Sequence, residues 1–289
     1  RRQALARWCH RTGLLPPLRL LSDLVARHDL RILAYHRVLE AVEPPGFDFD
    51  LELISASAEA FREQMLYVRR NFAPMRFDEV VEHVDQGRAL PKGAVLVSFD
   101  DGYDDNYRLA FPILRELGMS AMFEAQEALI ARLEQLWGMP RAAGAADCRP
   151  MSWAQLRQMR AAGMEVGSHG IDHCMLAKLP RQRMRAEVEQ SGRRLEHELG
   201  GKPFALSYPA GGPDSYDAET VAAVRAAGYR IACSYVGGTV AAGRADMFAL
   251  PRIAVERTMG LDWFAARLAV PGLFIHSPRQ RAGRQAEPR

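Results

Sequence analysis

Seven short apolar segments recur along the chain, and helical patterns lie between most of them. The segments are six to eight residues long and cover residues 31–36, 94–99, 119–125, 164–169, 204–209, 229–235 and 248–255. Apolar runs of this length are typical of strands buried in a sheet. Strands that alternate with helices favour an α/β fold with a parallel sheet, and about seven such units favour closure into a (β/α) barrel.

Glycine marks the junctions between helices and strands. Gly118, Gly163, Gly200 and Gly228 each follow a helical pattern and precede the next strand within a few residues. We expect these glycines to end their helices in the left-handed conformation, which residues with a side chain disfavour. Since 289 residues can bury one large core, we predict a single main domain over residues 31–271.

Two terminal segments differ from this domain in composition. Residues 1–30 mix Arg with Leu, Val and Trp around Pro16 and Pro17. This N-terminal extension is either a basic amphipathic segment in peripheral contact with an anionic membrane or a helix packed across one end of the barrel. Residues 272–289 are rich in Arg, Pro and Gly, so we expect a disordered basic tail there.

Composition and charge narrow the class of protein. The formal net charge of +3 is too small to indicate a nucleic-acid partner. No window is long and apolar enough to span a bilayer, and the chain does not open on a signal peptide. The four cysteines lack CxxC spacing, which favours reduced thiols and a cytoplasmic or membrane-peripheral location. Because the chain begins at Arg1 without Met, removal of a leader and a periplasmic location stay open.

Polar residues collect at the carboxyl ends of the predicted strands. They are His36 after the first strand, Asp100 and Asp101 after the second, His169 after the fourth, Tyr208 after the fifth and Arg252 within the seventh. In a (β/α) barrel these strand ends meet at one rim, where active sites are built. The sequence therefore predicts a reactive site at that rim.

A pair of histidines in "GSHGIDH" indicates a metal site. His169 and His173 are four residues apart, a spacing that can bring two imidazoles to one cation. With one carboxylate they form a ligand set suited to Zn²⁺ or another divalent transition metal with open positions. Gly170 stands where a zincin protease needs Glu, and Gly102 is misplaced for an EF-hand.

Each of these patterns also has a structural interpretation. Two histidines at this spacing occur by chance, and "DDG" at Asp100, Asp101 and Gly102 can be a turn or a helix cap. Both patterns, however, fall on the same predicted rim. Adjacent ionised carboxylates repel each other there unless a cation or a base role compensates them, which favours a catalytic interpretation.

Three stretches resemble the first motifs of the NodB-like polysaccharide deacetylases, carbohydrate esterase family 4. They are "SFDDGYDDN" (98–106), "MSWAQLRQMRAAGMEVGSHGIDH" (151–173) and "FALSYPAGG" (204–212). The early "ILAYHRV" is similar to the opening of the poly-N-acetylglucosamine deacetylases of this family. The resemblance covers most of residues 31–256 and implies a distorted (β/α)7 barrel. It also implies metal-dependent removal of acetyl groups from N-acetylglucosamine-type sugars.

The resemblance assigns roles to single residues. It makes Asp101, His169 and His173 the ligands of a divalent metal, with Zn²⁺ first and Co²⁺ or Ni²⁺ as alternatives. Asp100 becomes the catalytic base, and Tyr208 supplies a backbone N–H to the oxyanion.

Two family motifs are missing in their usual form. No Arg precedes the Tyr-Pro pair of the third motif, so Arg252 is our candidate to orient the base, unless it only pairs with some nearby carboxylate. The late Leu-x-His motif is absent, and His276 lies beyond the last strand. We therefore assign the general acid to His36, with a rim histidine that only hydrogen-bonds as the alternative.

The sequence leaves more than one substrate and more than one activity open. An N-acetylated polysaccharide, oligosaccharide or lipid-linked glycan fits the resemblance. A sugar O-acetyl esterase with the same metal site, or a non-catalytic glycan-binding relative, is the alternative. Residues 126–151 are a predicted insertion at the rim, and Asp104 and Asp105 are interpreted as the start of a helix, where its dipole favours negative charge. Glu124 stands at a strand end without an explanation.

Overall fold

The apolar segments form the strands of a closed barrel. The computed structural model describes residues 2–26, 28–44, 47, 50–125, 149–202, 204–241 and 246–275. In chain order its strands are β1 (His28–Tyr35), β2 (Arg37–Leu39), β3 (Ile54–Ser57), β4 (Ala73–Pro74), β5 (Ala94–Phe99), β6 (Met122–Ala125), β7 (Glu165–Ser168), β8 (Ala205–Ser207), β9 (Ile231–Gly237), β10 (Val240–Ala241) and β11 (Leu250–Ala254).

Seven of these strands are parallel and close on one another. Their order around the barrel is β1-β5-β6-β7-β8-β9-β11, and β11 returns to β1. The closing pair β1–β5 is in register from Leu30 opposite Ala94 to Tyr35 opposite Phe99. Each predicted segment supplies one of the seven, so the predicted (β/α)7 barrel is confirmed.

Four short strands lie outside this ring and distort it. β4 extends the sheet beside β5, and β10 pairs antiparallel with β1. β2 and β3 form a separate two-stranded sheet directly after β1. This small sheet is attached at the rim, beside the position of His36.

Helices cover the outside of the barrel. They are α1 (Arg2–Arg11), α2 (Leu15–Ala26), α3 (Ala58–Asn71), α4 (Phe77–Asp85), α5 (Phe111–Glu116), α6 (Trp153–Ala161), α7 (Arg181–Leu199), α8 (Ala218–Ala226), α9 (Leu261–Ala269) and α10 (Pro271–Phe274). The side chain of Ser57 accepts the N–H of Ala60 and caps α3. The four predicted glycines have φ angles between 64° and 91°, which confirms the left-handed helix ends.

Alternation along the strands divides the core into two layers. Val97, Phe99 and Phe123 pack outward against the helices, and the Phe99 and Phe123 rings stack at 4.6 Å. Leu96 and Met122 belong to a second cluster that fills the barrel. Because strand side chains alternate with a period of two, the residues two positions further along face the same interior. Ser98, Glu124 and Ser207 occupy these positions, so the layer of the interior next to the rim is polar.

The N-terminal helices pack against the domain. Ala6 and Cys9 of α1 and Leu15 of α2 are buried with Ala265 and Ala269 of α9. Several large apolar side chains of these two helices stay exposed: Leu5, Trp8, Leu20, Leu21 and Leu24. No helix in the described part of the chain has the length and hydropathy to cross a bilayer. Peripheral membrane contact by this segment stays a prediction.

Some sequence predictions fall on residues outside the described ones. They are residues 126–148 of the predicted rim insertion, which include Cys148, and residues 276–289 of the predicted tail, which include His276. The first residues assigned to a disordered tail, 272–275, instead lie in or directly after α10, where Phe274 and Ile275 are buried. The other cysteines, Cys9, Cys174 and Cys233, are free thiols.

The loop after β8 gives a test of the fold at the rim. Gly211 has φ +56°, and a Cβ there would lie 2.4 Å from the backbone nitrogen of Tyr235, whereas a Cβ on Gly212 meets nothing within 4 Å. Gly211→Ala should therefore lower the free energy of unfolding by about 1–3 kcal/mol. Gly212→Ala is the matched control and should change it by less than about 0.5 kcal/mol. Urea denaturation measures both, and equal midpoints would contradict the close packing.

Candidate active site

The turn after β5 sends two adjacent carboxylates in different directions. The Asp100 N–H donates to Tyr35 O at 2.9 Å and continues the pairing of β1 with β5. Asp101 then has φ +67° and Gly102 has φ +62°, while the Gly102 N–H returns to Asp100 O. This left-handed turn separates the two side chains, so that each carboxylate can take a different role.

Three donor atoms converge on one point beside this turn. Asp101 Oδ1 lies 3.5 Å from His169 Nε2 and 3.4 Å from His173 Nε2, and the two nitrogens are 3.2 Å apart. Tetrahedral coordination with bonds of about 2.0–2.2 Å places ligand atoms about 3.3–3.6 Å apart, close to these distances. The donor set of two imidazoles and one carboxylate therefore fits a divalent transition metal.

Neighbouring groups orient the imidazole of His169. Its Nδ1 lies 2.8 Å from the carbonyl oxygen of Ser207, which leaves Nε2 to face Asp101 and His173. Burial alone would lower the pKa of His169, but Glu124, Asp101 and Asp100 together raise it well above the usual value. Burial and the adjacent His169 lower the pKa of His173 to about 4, so this imidazole is neutral at physiological pH.

Asp100 is held by a buried arginine of β11, the strand on the other side of β1 from β5. Arg252 Nη1 and Nη2 donate to its two carboxylate oxygens at 2.6 and 2.7 Å. Arg252 also donates to Ser234 O and Ser98 Oγ, which fixes its guanidinium. Burial favours the neutral acid, but the Arg252 charge outweighs it and holds the pKa of Asp100 well below the usual range. The carboxylate that Arg252 binds is thus the predicted base, as expected for an orienting residue.

His36 lies at the rim next to Asp100. Its Nε2 is 4.0 Å from Asp100 Oδ2, and its side chain is 18% exposed. The backbone around it is fixed, because the His36 N–H donates to Ser55 Oγ and the side chain of Asn106 donates to His36 O. Its ring packs edge-on against Tyr235. His36 is therefore both held in place and open to a ligand from solvent.

A buried ion pair lies directly beside this histidine. The sequence interpretation predicted the histidine but missed the ion pair. Arg37 Nη2 lies 2.8 Å from Asp105 Oδ2, both side chains are fully buried, and Asp105 Oδ1 accepts the Val38 N–H. Asp105 thus lies at the start of a helix, as predicted, but it also binds two residues of β2, the strand that follows His36. Asp104 does lie at the surface of the helical segment, where it pairs with Arg108. An Arg directly after the His was the signal available in the sequence.

The predicted use of Tyr208 as an oxyanion donor is corrected by the structure. Its N–H donates to Cys233 O at 3.0 Å, because pairing with β9 continues one residue past β8, and its hydroxyl donates to Phe248 O. Ala210, two residues later, has φ +59° and is exposed. Among the described residues its N–H has no protein acceptor. Pro209, next to it, lies against Gly170 in the histidine loop.

Glu124 is a member of the site that the sequence left unexplained. It is fully buried, and its Oε2 lies 2.8 Å from His169 Nδ1, on the side of the ring away from Asp101. Burial raises the pKa of this carboxyl to about 7. Its position in the interior follows from the strand period, but its neighbours come from two other strands.

The sequence matches a known family model over half of its length. Residues 87–232 match the model described as "Polysaccharide deacetylase". YxkH, a predicted polysaccharide deacetylase of Bacillus subtilis (strain 168), is 29% identical over 181 residues, which are 63% of this chain and 58% of YxkH. The poly-beta-1,6-N-acetyl-D-glucosamine N-deacetylase of Escherichia coli (strain K12) is 30% identical over 118 residues, 39% of this chain and 17% of that protein. The chain therefore spans less than two thirds of either relative.

Two solved structures share the fold at lower identity. The Streptococcus pyogenes deacetylase PplD, in complex with acetate, superposes with a TM-score of 0.67 at 22% identity and covers 80% of this chain and 94% of PplD. IcaB from Ammonifex degensii gives a TM-score of 0.64 at 24% identity and covers 84% of this chain and 97% of IcaB.

Proposed function

The chain belongs to the polysaccharide deacetylase family, and from this premise we propose that it is a metal-dependent de-N-acetylase of N-acetylglucosamine-type glycans. The observation that carries the proposal is the placement of three convergent ligand atoms beside a carboxylate held by Arg252. Hydrolysis of an amide needs a polarised carbonyl, a base for the attacking water and an acid for the leaving amine. Residues for all three lie at this rim.

Asp101, His169 and His173 would hold the metal. Two nitrogen donors and one oxygen donor suit Zn²⁺, with Co²⁺ or Ni²⁺ as alternatives, and leave positions for substrate and water. A divalent cation bound there supplies Lewis-acid polarisation of the acetyl carbonyl and lowers the pKa of water.

Asp100 would accept the proton of the attacking water. Its low pKa keeps it ionised in the neutral range, and the two hydrogen bonds from Arg252 fix the direction of its oxygens. The Ala210 N–H, exposed in the loop beside the histidines, is the backbone donor available to the developing oxyanion. Removal of one such donor typically slows a reaction by about 10²–10³-fold.

His36 would give a proton to the departing amine. An amine leaves poorly as an anion, so the carbon–nitrogen bond breaks once the nitrogen is protonated. His36 is near Asp100 but not among the three convergent atoms, which suits an acid on the leaving-group side.

A neutral N-acetylated glycan is the proposed substrate class. The E. coli relative is named for a polymer of N-acetylglucosamine, and the net charge of +3 gives no reason to expect a highly charged substrate. The same residues could hydrolyse a sugar O-acetyl ester. A purely glycan-binding relative is less well supported, because all three ligands and the base are retained.

Assay of defined N-acetylglucosamine oligomers tests the proposal. We expect release of acetate and appearance of free amines, loss of both after chelation, and recovery when Zn²⁺ or Co²⁺ is returned. An O-acetylated sugar measured in parallel separates the two activities. Release of acetate only from the ester would refute the de-N-acetylase, and activity unaffected by complete metal removal would refute metal dependence.

Single substitutions separate the base from the metal ligands. Asp100→Asn should keep bound metal near the wild-type level but lower kcat by at least about 10²-fold, because the proton acceptor is lost. His169→Ala should lose both metal and activity, since a ligand is removed. Elemental analysis of the dialysed proteins gives the metal content beside the rate. Full activity in either variant would refute the role assigned to that residue, Asp100 as the base or His169 as a metal ligand.

Substitution of the proposed acid gives a different pattern. His36→Ala should lower kcat for an N-acetyl sugar by about 10²–10⁴-fold and leave bound metal unchanged. The loss should be much smaller for 4-nitrophenyl acetate, whose leaving group departs as a stable anion without a proton. Equal losses on both substrates would point to a role other than proton donation.

A further inference from the structure

Glu124 is a buried carboxylate that the proposed chemistry does not use. It lies in β6, faces the barrel interior above Met122, and has 0% exposure. Neither of its carboxylate oxygens has a hydrogen-bond donor in the described part of the chain. Ser207 Oγ is buried and without a partner as well. Unsatisfied polar atoms at this depth normally oppose folding.

The group next to Glu124 is the imidazole of His169. Nδ1 lies 2.8 Å from Glu124 Oε2 and 2.8 Å from Ser207 O, but it carries only one hydrogen. The geometry favours the backbone oxygen, so Ser207 already fixes the tautomer and orientation of the ring. Glu124 is therefore not needed to accept the Nδ1 hydrogen. What its carboxylate adds is a negative charge on the side of the ring away from Asp101.

A His169 that binds a metal through Nε2 is a neutral imidazole, and among the described residues no other cation then balances the charge of Glu124 fully. The nearest one, Arg252, makes two hydrogen bonds to Asp100 and donates its other N–H groups to Ser234 O and Ser98 Oγ. Counted as full charges, Asp100 and Arg252 cancel, while Asp101 and Glu124 leave two negative charges in the buried cluster. A divalent cation between Asp101, His169 and His173 makes this cluster neutral. Buried clusters tolerate charge only when it is compensated.

We infer that Glu124 is a positioning residue for the metal: it acts through His169, polarises the imidazole from behind and supplies the second negative charge that a divalent cation requires. The inference rests on the proposed function, because it presupposes that the three convergent atoms bind a metal. It explains why a carboxylate without donors occupies a position where an apolar side chain would pack at lower cost.

The inference predicts that Glu124 contributes to metal affinity in addition to the stability of the metal-free protein. Glu124→Gln keeps the shape and removes the charge, so the Kd for Zn²⁺ or Co²⁺ should rise about 10–100-fold. In the presence of a chelator, the variant should unfold below the wild type, because the charge that lies 2.8 Å from His169 Nδ1 is gone. Competition with a chromophoric chelator gives Kd, and thermal unfolding with and without metal gives the unfolding temperatures.

Glu165→Gln is the matched control. Glu165 is also a buried carboxylate of a barrel strand, but its two oxygens accept the N–H groups of Phe77 and Asp78 at the start of α4. The same substitution there should lower the unfolding temperature of the metal-free protein and leave Kd unchanged. The two variants thus share a loss of stability in the metal-free protein and differ in metal affinity.

A second variant distinguishes the loss of the charge from a change in local packing as the cause of weaker metal binding. Glu124→Met has a similar volume and an apolar side chain, and it should weaken metal binding at least as much as Glu124→Gln. Wild-type Kd in both variants would overturn the inference and leave the metal site intact. A rise in Kd for Glu165→Gln as large as that for Glu124→Gln would overturn the inference as well, because the loss of affinity would then follow from weakened folding. A wild-type protein that binds no metal would instead refute the proposed function, and the inference with it.

Discussion

The pairing of β1 with β5 is the contact on which the rest of the molecule depends. It joins the first barrel strand to a strand about sixty residues later in the sequence and closes the ring. The same ladder runs on past the strand ends, where the Asp100 N–H meets Tyr35 O. His36 and Asp100 are therefore neighbours because the barrel is closed. Each lies one residue beyond a strand, at the rim where the walls of a barrel leave room for a ligand.

The interior of this barrel changes character toward that rim. Apolar side chains such as Leu96 and Met122 fill most of it, while Ser98, Glu124, Ser207 and Arg252 form the last layer below the site. Such a layer stabilises the fold only if its charges find partners. The Arg252–Asp100 pair meets this condition within the chain, and Glu124 would meet it in the proposed metal-bound state through the cation at His169. The polar layer thus connects the fold to the proposed metal binding.

Elements and single residues were predictable to different degrees. Apolar runs and glycines identified all seven barrel strands and four helix ends, because burial and backbone conformation are local constraints. The spacing of His169 and His173 indicated a metal site, and the family resemblance added Asp101 as the third ligand. The missing Arg of the third motif led to Arg252, from the far end of the chain. Tyr208 was misjudged, since no local signal shows that ladder pairing extends one residue beyond a strand and uses its N–H.

By itself, the sequence determined the number and order of the strands, the rim on which reactive residues collect, and the chemical types of the ligands. Those properties follow from patterns within a few residues of one another. Only the tertiary structure decided which groups from different elements meet, Arg37 with Asp105 and Glu124 with His169, and that the Ala210 N–H has no protein acceptor among the described residues. These contacts join residues that are far apart in sequence, and their distances follow from barrel closure and strand register, which no local pattern contains.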